Sequence, residues 1–121
     1  SARSDGERID ILDATAATNA QTVAQKMFLV FNKYRNDIYE KDVRPKLENE
    51  KEGAKELTAA LEIVDDFTIV NADKAIVMLL KREGLEPAVA AKCIAVLGTL
   101  STKTAVDELF ERAASAYENV S

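Results

Sequence analysis

The sequence predicts an all-α fold, an up-down four-helix-type bundle with two long N-terminal helices and shorter C-terminal helices. Three observations predict it. Apolar residues recur at steps of three and four along most of the 121 residues, the period of a helix with one buried face. The breakers are few and spaced, with four Gly and two Pro in the whole chain. The one β-flavoured run, Phe67-Thr68-Ile69-Val70, is too short and isolated for a sheet. The length fits a single helical domain over 1–121, with 1–6 as a polar N-terminal tail.

Ser4 and Glu7 have the spacing of a capping box. A helix from 7 to 41 then places Ile9, Leu12, Ala16, Ala20, Val23, Met27, Val30, Tyr34 and Ile38 on one continuous stripe. Arg44-Pro45 is expected to break this helix, because the residue before proline is biased away from helical geometry. Pro45 suits the first turn of a second long helix carrying Leu47, Ala54, Leu57, Leu61 and Val64. Its first half, KLENEKEGAKE, is almost wholly charged and reads as a solvated face with ion pairs one turn apart.

Asn71 is placed to cap a third helix that Gly84 ends, with Lys81 and Arg82 suited to the dipole of its last turn. Pro87 opens a fourth, PAVAAKCIAVL, apolar nearly all round, which is expected to be the most buried and to end at Gly98. Ser101 or Thr102 caps the fifth, with Ala105, Leu109, Ala113 and Ala116 on one stripe and Val106, Phe110 and Tyr117 beside it. Short connections favour antiparallel neighbours.

Composition narrows the chemistry. The chain has no His and no Trp, so the imidazole base and the commonest metal ligand are missing. Its one cysteine, Cys93, sits among small apolar residues and reads as a packing thiol. Met27 and Met78 read as core. Asp65 and Asp66 are helix neighbours about 100° apart, which suits an exposed helix end rather than a metal site. No glycine-rich phosphate loop or calcium-loop pattern is present. The residues thus indicate no enzyme and no cofactor or metal site.

The net charge of −5 argues against nucleic-acid binding. The longest apolar run, Met27–Phe31, is far short of a membrane span. Charge is uneven, however. Residues 26–55 hold eight basic and six acidic side chains, and the remainder of the chain is acidic. Lys41, Arg44, Lys46 and Lys51 are the candidate partner-binding residues, a locally positive end on an acidic protein. Tyr34 and Tyr39 lie near it and read as bundle-edge residues or, since Tyr and Arg are favoured at interfaces, as part of one.

Taken together, the start SARSDGERID, the long first helix through KMFLVFNKYRNDIYEKD, the turn VRPKL and the final helix AVDELFERAASAY resemble the small helical extrinsic subunits of photosystem II, the PsbQ-like proteins and the related four-helix subunit of diatoms. The resemblance covers the whole chain as pattern, without a signature motif. The break into short helices after Asn71 departs from it. It implies a lumenal protein, peripheral to the thylakoid membrane, whose mature chain begins after a cleaved presequence. It implies docking on photosystem II, where the subunit would help stabilise or shield the oxygen-evolving centre without cofactor or chemistry of its own. The residues also admit a second reading, a cytoplasmic helical adaptor or chaperone-like regulatory domain that offers a groove to a partner helix. Its mark would be an apolar patch left exposed around the third and fourth helices.

Overall fold

The computed structural model describes the backbone of residues 5–120 and the side chains of residues 19–118. The expected Ser4 cap lies outside the described residues. Every regular element among those described is helical: α1 (Asp5–Ile38), a π-helical turn (Tyr39–Val43), α2 (Arg44–Glu48), α3 (Ala54–Phe67), a 3₁₀ turn (Val70–Ala72), α4 (Asp73–Leu80), α5 (Pro87–Leu100) and α6 (Lys103–Val120). The chain divides into two compact units, 1–34 and 35–121.

Within the first unit, the described part of the α1 stripe does not enter a core. Ala20, Val23, Met27, Val30 and Tyr34 are all exposed, as are Phe28, Leu29 and Phe31 between them. The expectation that Met27 is a core residue is therefore corrected.

The second unit holds the core. Val43, Leu47, Leu61, Val64, Ile76, Leu79, Val89, Val96 and Leu97 are fully buried in one cluster. Ile38 packs half-buried at its edge. In this unit α3 packs on α5, and α4 packs on α2, α5 and α6. The shortest of the three C-terminal helices is thus the central one. Ile76, Val77, Leu79 and Leu80 are all buried. In contrast, α5 buries Val89, Cys93, Val96, Leu97 and Leu100 on one side and leaves Ile94 and its alanines at 88, 91 and 95 exposed. An apolar helix is expected to be buried all round, but only one face of α5 has neighbours.

Pro45 deflects the chain without breaking it. Arg44 keeps helical angles (φ −55, ψ −46), and its N–H reaches back five residues to the Tyr39 carbonyl. A proline ring clashes with the carbonyl four residues earlier. Widening the preceding turn to π geometry makes room for it. The true break follows α2. Asn49 leaves helical geometry, its Oδ1 accepts from the Lys51 N–H at 3.0 Å, and its carbonyl accepts from the Glu52 N–H at 3.1 Å. Such a side-chain turn competes with helix propagation. The second long helix is therefore two, and α3 begins after Gly53.

Two helices end on left-handed residues that are not glycine, Thr68 (φ 49) and Ser101 (φ 50). At the first, the Ile69 N–H bonds the Val64 carbonyl at 3.0 Å, closing the end of α3. At the second, the Ser101 hydroxyl donates to the Gly98 carbonyl at 2.6 Å. Gly98 accordingly lies inside α5, which runs on to Leu100. Gly84 does adopt a positive φ of 74, in the connection after α4. Asn71 does not cap α4; its Nδ2 donates instead to Asn36 Oδ1 at 3.2 Å.

Thr102 acts at α6 as expected. Its Oγ1 accepts from the Ala105 N–H at 3.1 Å and donates to Asp73 Oδ2 at 2.8 Å, tying the start of α6 to the start of α4. Thr102→Ala removes both bonds. The expected loss is about 1 to 2 kcal/mol of unfolding free energy, measured as a lower urea midpoint with an unchanged slope.

Candidate functional site

Two hydrogen-bonded contacts lay the segment 36–49 alongside 71–82 in the same direction. Asn71 bonds Asn36 at one end. At the other, Arg82 donates to the Leu47 carbonyl at 2.9 Å and to the Asn49 carbonyl at 3.5 Å. The Leu47 carbonyl ends α2 without a helical partner, so Arg82 satisfies it, and its longer bond to the Asn49 carbonyl, which also accepts from the Glu52 N–H, helps fix the spacing of the two segments. Between them runs a groove of about 760 Å³. Its length is roughly 16 Å, the rise of the eleven residues from Asn71 to Arg82.

The apolar side of the groove is formed by Ala75 and Met78 over the buried Tyr39, Leu47 and Leu79. Tyr39 is buried, and among the described residues no hydrogen bond reaches its hydroxyl. Burial pushes its phenol above the ordinary 10.0, while nearby Arg44 pulls the other way. Met78 stands at the groove 71% exposed, so the expectation that it is a core residue is also corrected.

The two walls differ in charge. Glu40, Glu48 and Glu50 lie on the first and Lys74, Lys81 and Arg82 on the second. Arg44 sits among the glutamates, with Nε 2.9 Å from Glu48 Oε1 and Nη1 3.1 Å from Glu40 Oε2. Its hydrogen bonds to Glu48 and then Glu40 hold its pKa above the usual arginine value. A groove with an apolar lining and oppositely charged walls suits a helix that is acidic along one edge and basic along the other.

Of the four basic residues expected to bind a partner, Arg44 alone lines this groove. Lys46 pairs with Glu56 at 3.5 Å. Lys41 and Lys51 are exposed on the π turn and in the Asn49–Gly53 turn. The structure thus does not gather the four into one positive patch. Sequence reasoning missed Tyr39, Lys74, Met78 and Arg82. A usable signal was present: Asn71, Lys74, Ala75, Met78 and Arg82 fall at i, i+3, i+4, i+7 and i+11, a single helical face.

Away from the groove, Glu108 is a buried carboxylate between Lys81 Nζ at 3.6 Å and Arg112 Nε at 3.3 Å. Arg112 also donates from Nη2 to the Leu80 carbonyl at 3.0 Å, closing the end of α4 as Arg82 closes α2. Asp65 and Asp66 lie at the C-terminal end of α3, and among the described residues no group of three or more His, Cys, Asp or Glu could hold a metal ion.

Cys93 is fully buried, and burial pushes its thiol up to about 11. A thiol held neutral in the fold contributes stability below the pKa of the unfolded thiol, and that contribution is lost as pH rises through about 11. Reaction with a small thiol reagent at pH 8 is expected to be slowed at least a hundredfold relative to urea-unfolded protein, followed by release of chromophore.

Comparison of the chain with protein-family models, with curated proteins and with solved structures yields no match.

Proposed function

We propose that this chain is a non-catalytic docking subunit that receives a helical element of a larger protein assembly in the groove between α2 and α4. The observation that carries this reading is the groove itself, with an apolar lining, an exposed Met78 and walls of opposite charge. Buried aromatic and Met side chains are favoured at protein interfaces, and opposed charges set orientation and on-rate.

In the specific form that the sequence resemblance implies, the assembly is photosystem II and the protein is an extrinsic lumenal subunit shielding the oxygen-evolving centre. The test is rebinding to photosystem II membranes stripped of extrinsic proteins by a salt wash. Saturable rebinding that restores oxygen evolution and weakens with salt is the expected result. Docking left intact by Arg44→Glu together with Lys46→Glu removes the basic section from the surface, and no rebinding at all removes photosystem II.

Met78, on the helix where an adaptor would leave apolar surface exposed, favours the second reading, a free-standing adaptor for an amphipathic helix. Binding of such a helix without any photosynthetic membrane, lost in Met78→Asp, separates it from the first.

A further inference from the structure

The middle of α1 carries a feature independent of the groove. Val23, Met27, Phe28, Leu29, Val30 and Phe31 are each half or more exposed. Without Leu29, which lies on the other side of the helix, they present on the order of 500 Å² of apolar surface, within the range of the largest patch on a monomer. At about 100° per residue, Val23, Met27, Val30, Phe31, Phe28 and Tyr34 fall within an arc of about 160°, which Arg35 interrupts only at the C-terminal end of the segment. Asn19, Gln21, Thr22, Gln25, Lys26, Asn32 and Lys33 fill the opposite arc, where Leu29 is the lone apolar residue. No acidic residue occurs between Asp13 and Asp37, and the charges in that interval are Lys26, Lys33 and Arg35. A purely basic interval stands out in a chain of net charge −5.

We propose that this part of α1 lies in the headgroup region of an anionic lipid bilayer, parallel to the membrane plane. An interfacial helix needs a wide apolar arc carrying aromatic side chains such as Phe, lysines on the polar side, and low overall hydrophobicity. Residues 19–34 meet all three conditions over a length of roughly 25 Å. No helix among the described residues is long and apolar enough to cross a membrane, so the segment rests on the surface. The lysine stems reach along the apolar boundary while their ammonium groups meet lipid phosphates. A second copy of this helix fits less well. Helix pairing covers the stripe of Val23, Met27 and Val30 and leaves Phe28 in water, whereas a bilayer boundary covers the whole arc at once.

The test uses the full chain with two kinds of vesicle, phosphatidylcholine alone and phosphatidylcholine with a third of phosphatidylglycerol. The protein is expected to co-sediment with the anionic vesicles only and to be released by molar salt. Lys26→Gln with Lys33→Gln is expected to weaken partitioning roughly thirtyfold, and Phe28→Asp with Phe31→Asp to abolish it. Phe31→Trp, the sole tryptophan of that variant, should shift its emission to the blue on binding. The aspartate pair is checked for helicity by circular dichroism; should it unfold, the lysine pair still decides. Absence of binding, or equal binding to both vesicles, overturns the proposal. So does a dimer in sedimentation that the lysine pair leaves intact and the lipid leaves undisturbed.

Discussion

Leu79→Ala is expected to destabilise the protein by about 3 to 5 kcal/mol. Leu79 has no exposed surface. It belongs to α4, the helix that packs on α2, α5 and α6. The cost of removing a buried leucine depends on how far its surroundings can close over the void. With neighbours on three sides, each held by its own contacts, little closure is available, which places Leu79 at the upper end of the range. The adjacent Met78→Ala is the control. Met78 is 71% exposed, and its truncation is expected to change stability by less than about 0.5 kcal/mol. Urea unfolding of the two variants therefore reads the orientation of α4 directly. Similar losses in both would show that Met78 is packed and that the groove is closed.

Arg112→Met is expected to cost about 2 to 3 kcal/mol. The guanidinium does two things at once. Its Nη2 satisfies the Leu80 carbonyl at the end of α4, and its Nε lies 3.3 Å from the buried Glu108 carboxylate. Removing it leaves a carbonyl unpaired and a carboxylate with Lys81 alone, 3.6 Å away and itself half exposed. The estimate stays below that for a fully buried pair because Arg112 is 40% exposed and its charge is partly screened. Arg112→Lys should recover less than half of the loss, since an ammonium cannot reach carbonyl and carboxylate with the same fork. Thermal unfolding of the three proteins checks this order.

Much of the second unit was legible because its elements obey local rules. Pro87 opens α5, Thr102 caps α6, and the stripe of Leu57, Leu61 and Val64 lies in the core as its spacing requires. The misreadings came where two local rules compete. Proline reads as a break, yet a π turn absorbed Pro45. Gly98 reads as a stop, but the helix runs on to the buried Leu100 and Ser101, directly after it, took the left-handed position. The Asn49 turn hid within a charged run that also scores as helix, although Asn49 and Gly53 marked its two ends. Periodicity shows that a helix has an apolar face without showing what covers it. The stripe of α1 has the pattern of a core helix, and its described residues face solvent. The groove escaped for a related reason. A methionine reads as core filler, and the charges that make the walls are 30 or so residues apart in sequence, brought together by the Arg82 and Asn71 hydrogen bonds.

The groove is the proposed docking surface, and one titration tests that most directly. Wild-type protein and Met78→Asp, matched for urea stability, would be titrated onto photosystem II membranes stripped of extrinsic proteins, with bound protein and oxygen evolution read together. Saturable binding by the wild type and at least tenfold weaker binding by Met78→Asp are expected, because a buried interface would have to take in an unpaired carboxylate. Equal binding by the two proteins would contradict it and place the docking surface elsewhere on the molecule.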